Sequence, residues 1–492
     1  MTLTIAELED LAEEALRNET EAEAEVVLKT WLETQGPQAQ ILHWRALLLR
    51  ALDRRVEALA LLDQAGTLDP ASPSIARSRA QVALEAGLPA AALAESALQL
   101  APTSSEARLG LISAYYAEGR GAMALELLAG ALAGNPGWQD GYRQHAQLSA
   151  LLGQSELGLL PLTRTIERFP DALEMQLQAL DMLMAKGDHA AAAQLAEQAL
   201  RRFGEHPPLL IDRATALDEL GQADQAAAVF GQCGEPGDAA HACRLIRHLL
   251  RRGDPHEALR TAEPWLASNA ATQIWPYVAL AWRTLGDKQA DWLERQQGLV
   301  QVYDLAEQTS DLTGLAERLR LIHARSGQFA DQSVKGGTQT DGPLFARIEP
   351  EIVAIRQLIA DSLAKHLAGL PTHDPFHPQL APRRDRPVRF AGSWSVRLEG
   401  QGFHRVHHHP QGWFSAVFYV AVPDSLEQRE GQLVLGGSPQ ELGLDLEPFQ
   451  YVEPRAGRLV IFPSTLWHAT EPFRSGERMT ISFDLARPFE ES

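Results

Sequence analysis

Seven glycines punctuate the first 290 residues of this 492-residue chain at an almost constant interval. Gly87, Gly119, Gly153, Gly187, Gly221, Gly253 and Gly286 stand 32, 34, 34, 34, 32 and 33 residues apart. Five residues after most of them comes a small residue, namely Ala92, Ala124, Gly158, Ala192, Ala226 and Ala258, where two packed helices would need to approach closely. Pro136 and Pro170 follow Gly119 and Gly153 by 17 residues, and Pro102 follows Gly87 by 15. Proline cannot continue a helix, so each marks a break between successive hairpins. The order helix, glycine turn, helix, proline turn predicts a stacked repeat array, because one such unit cannot bury its apolar face alone.

The pattern is clearest in Tyr116-Ala117-Glu118-Gly119, followed by Ala124, Ala131-Leu132 and Asn135-Pro136. It resembles the tetratricopeptide repeat (TPR) over roughly residues 40–290. The resemblance implies an α-solenoid with a concave groove of the kind that commonly holds peptides, so a peptide or protein partner is expected there. A scaffold that positions or dimerises the rest of the chain has equal weight, which leaves a homo-oligomer open. The Leu and Ala stripes are packing positions. Over residues 289–325 the sequence stays helix-like but loses the period, and the glycines and proline of 336–345 then break it. One more amphipathic helix is expected over 349–367. The expected organisation is therefore repeats over 1–290, capping or linker helices over 291–325 and a separate domain over 326–492.

Bulk properties narrow the function classes. The 44 basic and 64 acidic residues leave a net charge of −20, which would repel a phosphate backbone and makes nucleic acid an unexpected partner. No apolar run approaches the roughly 18 residues that would cross a bilayer, so no membrane association is expected. The opening MTLTIAELED is acidic and helix-periodic, without the basic start and apolar stretch of a secretory signal, which predicts a cytoplasmic address. Cys233 and Cys243 suit a reducing compartment and read as small buried hydrophobes, a redox pair being the minor reading.

From Phe390 onward the texture changes to short strand-like runs, SWSVRL, SAVFYVAV, GQLVLGG, GRLVIF and RMTISFDL, separated by Gly, Pro and Asp clusters. Such alternation argues for a β-sandwich or barrel, making the chain multidomain, α then β. Within it His404, His407, His408 and His409 fall inside six residues. On an extended strand His407 and His409 share one face while His408 points away, so that pair could grip one ion. A third ligand must come from elsewhere, and His468 in FPSTLWHAT, directly after an apolar run, is the candidate. Arg478 follows ten residues later, where on a neighbouring antiparallel strand it could form a bidentate pair with the carboxylate of an acidic co-substrate.

The run from GTQTDGPLF through SWSVRL, GFHRVHHHPQGWFSAVFYV, GRLVIFPSTLWHAT and RMTISFDL resembles a bacterial 2-oxoglutarate-Fe(II) oxygenase family often found behind tetratricopeptide repeats. The resemblance spans about residues 325–488. It implies a double-stranded β-helix (jelly-roll or cupin-like), with Fe(II), 2-oxoglutarate and O2 consumed and succinate and CO2 formed. Carried over residue by residue, it implies metal ligands His407, His409 and His468, with Arg478 on the 2-oxoglutarate carboxylate and Thr480 beside it on the same face. Tyr419, on an inner strand, could also reach the 2-oxo acid, or be a core tyrosine satisfied elsewhere.

One departure matters. Iron sites of this type generally use two histidines and a carboxylate, whereas here His409 stands in the carboxylate's place. A neutral imidazole leaves the site one charge unit more positive and admits zinc or copper as well as iron; alternatively His409 lies outside the ligand set. His404 and His408 are read as surface or outer groups, and Trp394, Trp413 and Trp467 as core packing before substrate contact. The leading expectation is a hydroxylase acting on a peptide or protein side chain. A three-histidine cupin-type dioxygenase without 2-oxoglutarate, and an interaction scaffold with an inactive barrel, are the alternatives.

Overall fold

A computed structural model describes residues 3–324 and 334–489. Each of the seven periodic glycines ends a helix, with φ between 67° and 78°, the left-handed region in which glycine alone meets no Cβ penalty. At Gly187 the helix Leu173–Lys186 stops, and the glycine amide returns to the carbonyls of Leu183 and Met184. Asp188 then caps the helix His189–Phe203 by accepting from the Ala191 amide at 3.2 Å. Ala124, Ala192, Ala226 and Ala258 are buried, and a Cβ on Gly158 would stand 3.2 Å from the Ala146 Cα, so the helices do approach at these positions. Ala92 is an exception and is exposed. Leu88, Pro89 and Ala90 lengthen that turn, the next helix starts only at Ala91, and Ala91 is buried in its place. Cys233 and Cys243 are free and half-buried, more exposed than expected of small core residues. Burial pushes the Cys243 thiol up to about 11, which keeps it protonated and unreactive at neutral pH.

The chain divides into two compact units. One comprises Met1–Gly130, Asp341–Gln357 and Phe489–Ser492; the other comprises Ala131–Thr340 and Leu358–Pro488. The expected boundary near residue 325 lies outside the described residues. Residues 291–325, expected as capping or linker helices, do hold the helix Leu312–His323, but they also supply a strand, β1 (Gln301–Asp304). Four residues carry too few alternations to register as a period. The helix expected over 349–367 is Pro350–Ala368. Among the described residues no helix is long and apolar enough to cross a membrane.

The other strands are β2 (Val334–Gln339), β3 (Phe390–His407), β4 (Phe414–Ala421), β5 (Leu433–Leu435), β6 (Gln450–Val452), β7 (Arg458–Pro463), β8 (His468–Thr470) and β9 (Glu477–Leu485). All pair antiparallel. The first half of β3 pairs with β9, and the sheet continues through β4 and β7 to β1. The second half of β3 pairs with β8, and the same nine-stranded sheet continues through β5 to β6. One long strand thus pairs with two different neighbours, and it turns between them at Gly400-Gln401-Gly402, where Gln401 has φ 70°, curling the sheet. A Cβ on Gly402 would lie 2.7 Å from the carbonyl oxygens of Glu399 and Gly336, so this corner has room only for glycine. The result is the double-stranded β-helix, behind an α-solenoid. Within the second unit the two share a core, in which Ile274, Val278 and Trp282 of the helix Ala271–Leu285 pack with Leu442 and Trp467 of the sheet domain.

Candidate metal centre

The bend in β3 delivers its end to β8, where His407 and His468 are paired residue to residue. His409 lies just past the strand, and its amide donates to the Ser464 carbonyl at 2.9 Å, which ties this loop to the turn before β8. The ring centroids are 4.2 Å apart for His407 and His468, 5.2 Å for His407 and His409, and 5.0 Å for His409 and His468. One nitrogen from each ring lies within 4.8 Å of the others. The alternation read from the sequence persists beyond the strand. The His408 ring turns away and meets Trp467 edge-on at 4.6 Å.

Hydrogen bonding fixes the tautomers. The His407 Nδ1 donates to the Arg405 carbonyl at 2.7 Å and the His468 Nδ1 to the Leu466 carbonyl at 2.9 Å. The His409 Nδ1 donates to the Asp484 carboxylate at 2.7 and 2.9 Å. A proton on Nδ1 puts each lone pair on Nε2, the form a metal requires. Burial pushes His407 down to about 3 and His468 well below its ordinary value, with neighbouring histidines adding to both, so these rings are neutral at pH 7. Asp484 itself accepts from the Ser415 hydroxyl at 2.6 Å, which leaves the Ser415 oxygen to accept from the Ser464 hydroxyl at 2.9 Å.

Arg478 enters the same cavity of about 570 Å³ from β9. It is 2% exposed. Its Nε donates to the Gly431 carbonyl at 3.1 Å, one Nη to the Tyr419 hydroxyl at 3.4 Å, and the guanidinium lies 4.9 Å over the Tyr419 ring. Among the described residues no carboxylate comes within ion-pair distance of it. A buried, uncompensated cation is costly unless an anion is to be received there. Thr480 is buried and lines the cavity two residues along the same face. Tyr419 sits behind Arg478 within the apolar core of the sheet and meets the cavity through that guanidinium.

His404 is half-buried, its ring stacked 5.8 Å from His407 and lining the cavity, so it is not a surface group. Trp394 lines the cavity 5.7 Å from His409, while Trp413 and Trp467 are buried, their indole N–H groups donating to the carbonyls of Gln379 and Pro276. Asp484 and Ser415 were not singled out from the sequence. The signal for Asp484 is present, because Arg478, Thr480, Ser482 and Asp484 alternate with Met479, Ile481, Phe483 and Leu485. A polar stripe on a strand buried on both faces needs something polar to meet.

Residues 392–484 match the family described as "Putative 2OG-Fe(II) oxygenase", and residues 83–148 and 183–235 match the tetratricopeptide repeat. A comparison with curated proteins finds no match. Among solved structures, a Pseudomonas putida prolyl-4-hydroxylase is similar at 19% identity, covering 38% of this chain and 92% of its own, with a TM-score of 0.28. A tetratricopeptide repeat protein from Parabacteroides merdae is similar at 18% identity over 48% and 94%, with a TM-score of 0.31. A Trichoplax adhaerens prolyl hydroxylase in complex with a hypoxia inducible factor peptide is similar at 15% identity over 39% and 84%, with a TM-score of 0.28. Over the matched segments, then, this chain is similar to the 2OG-Fe(II) oxygenase family behind tetratricopeptide repeats.

Proposed function

We propose that the chain is an Fe(II)- and 2-oxoglutarate-dependent oxygenase that hydroxylates a peptide or protein side chain presented with the help of its helical repeats. The observation that carries this reading is the buried Arg478, without a carboxylate partner among the described residues, in the same cavity as three converging histidines.

The donor set fits the metal. His407, His409 and His468 would hold it through Nε2, and three protein ligands leave open positions for a bidentate 2-oxo acid and O2. Asp484 supports the assignment of His409 to the ligand set. Its carboxylate orients the ring and restores nearby the negative charge that a ligating carboxylate would have brought. Arg478 would pair with the far carboxylate of 2-oxoglutarate, with Tyr419 steadying the guanidinium and Thr480 offering a hydroxyl from the same strand. Bound there, Fe(II), 2-oxoglutarate and O2 would supply the oxidation of C–H to C–OH, one oxygen atom going to the substrate and the 2-oxo acid leaving as succinate and CO2.

The peptide part of the reading draws on the first unit. Its helices enclose a groove of about 940 Å³ lined by Trp44, His43, Arg50, Arg77 and Gln81, a mixture of aromatic surface and hydrogen-bonding groups suited to an extended chain. A reducing, cytoplasmic compartment suits both Fe(II) and the two free thiols.

The test is anaerobic addition of Fe(II) and 2-oxoglutarate to the purified protein, read by the weak visible charge-transfer band of the chelate. A band that needs both components and is lost in Arg478→Ala is expected. Bound metal with no band would overturn the 2-oxoglutarate assignment in favour of a three-histidine dioxygenase.

A further inference from the structure

We propose that the last repeat helix, Ala271–Leu285, is a working part of the metal centre. Tyr277, together with the Pro276 carbonyl acting through Trp467, positions the ligand-bearing strands. The proposal rests on the reading of His407, His409 and His468 as metal ligands.

Its basis is where this helix touches the sheet domain. His408 lies between two ligands, and its ring meets Tyr277 edge-on at 5.9 Å as well as Trp467 at 4.6 Å. Trp467 immediately precedes the third ligand, meets Tyr277 edge-on at 5.5 Å, and donates its indole N–H to the Pro276 carbonyl at 2.9 Å. The Trp467 carbonyl accepts from the Gly436 amide at 2.7 Å, and Arg283 of the same helix donates to the Gly436 carbonyl. Each of the three ligands is therefore one residue away from a side chain clamped on this helix. The helix also meets Gly436, Leu442 and Glu447, and its contacts to residues 408 and 467 are the ones that adjoin the ligands.

Tyr277 is itself fixed from the solenoid side. Arg247 donates to its hydroxyl at 3.4 Å and to Glu219 at 2.8 Å, so the first helices of three successive hairpins are linked in a chain that ends at the Tyr277 hydroxyl. A metal site tolerates errors of only about 0.5 Å in its supporting groups, so the ring that wedges His408 outward sets how closely His407 and His409 can converge. Tyr277 is a positioning residue; it does not line the cavity that the three histidines and Arg478 share.

The experiment is a Co(II) titration of the full-length, metal-free chain, followed by the visible ligand-field bands. Tyr277→Ala is expected to weaken Co(II) binding by about 10- to 100-fold, the usual cost of losing an outer-shell support, and to change the band shape. Tyr277→Phe keeps the ring edge and is expected to restore both. Trp467→Phe, which keeps a ring but removes the bond to Pro276, is expected to weaken binding several-fold, and it serves if the alanine variant does not fold. Wild-type affinity and bands in Tyr277→Ala or in Trp467→Phe, or equal losses in the alanine and phenylalanine variants of Tyr277, would overturn the proposal. Wild-type protein that takes up no Co(II) would overturn the metal reading as well, a result distinguishable from the others.

Discussion

At the scale of single residues, the role proposed for Arg478 sets function against the stability of the ligand-free fold. Arg478 is buried, without an ion-pair partner among the described residues, so its charge burdens the ligand-free fold. Arg478→Met is therefore expected to raise the stability of the ligand-free protein by about 1–4 kcal/mol, while the upward shift in melting temperature on adding 2-oxoglutarate disappears. Chemical denaturation with and without 2-oxoglutarate checks both halves, and a destabilised variant that still responds to 2-oxoglutarate would contradict them. Asp484→Asn keeps a hydrogen-bond acceptor beside His409 but removes its charge. Metal affinity should fall about 10- to 100-fold with the fold intact, read by metal titration and circular dichroism. The three histidines and the arginine were legible in the sequence because their types are rare in cores and their spacing matches a strand. Asp484 was harder to see, because its role depends on the register that sets Ser415 opposite it across β4 and β9. Carboxylates near a strand end are common, and only that pairing turns one toward His409.

Elements show the same division between local and distant information. The seven turn glycines and the long apolar runs carry their own periods, so the hairpins and β3, β4, β7 and β9 were legible. β5 was legible within the run GQLVLGG, whereas β6 and β8 have three residues each, too few to display alternation, although β8 bears His468. What the sequence leaves implicit at this scale is how elements cover one another. The helix Pro350–Ala368 buries His366 edge-on against Phe414 of β4 at 5.0 Å, with no hydrogen-bond partner for either ring nitrogen among the described residues. Burial pushes this histidine down to about 4, from 6.5 when unfolded. His323 is likewise pushed down to about 4 by burial, between the hydroxyls of Thr338 and Ser395. Both are neutral when folded, so the unfolded chain binds more protons between these values. Their contribution is complete above about pH 6.5 and lost as pH falls toward 4, on the order of 3 kcal/mol each. Urea unfolding of the metal-free protein should show stability rising with pH across this window. His366→Met should flatten the rise, and an unchanged slope would mean that this ring is not the one titrating. The bend in β3 has a steric consequence of its own. Gly402→Ala would force a Cβ against two carbonyl oxygens and should cost roughly 1–3 kcal/mol, read as a lower unfolding midpoint.

For the whole molecule, the consequence is that the sheet domain does not end where its own periodicity begins. Read along the chain, the loss of the helical period and the arrival of alternation divide it near residue 326, because a change of texture is what a sequence displays. Contacts between segments far apart in sequence have no period and leave no such mark. Three of them cross that point within the second unit. β1 forms the edge of the sheet beside β7, His323 bonds Thr338 and Ser395, and the helix Ala271–Leu285 covers Trp467 and Leu442. A fragment of residues 326–492 loses all three, exposing a large aromatic side chain, an unpaired sheet edge and the hydroxyls of buried Ser395 and half-buried Thr338. It is expected to melt without a cooperative transition and to bind Co(II) weakly or not at all. A fragment of residues 131–492 retains these contacts and is expected to melt cooperatively and bind Co(II) as the full chain does. Thermal melts by circular dichroism and Co(II) titrations of the two fragments make the comparison. If the shorter one melts cooperatively and binds with full-length affinity, the repeats are only attached to the metal domain. If it does neither while the longer one does both, the final repeats belong to the folding unit that builds the site.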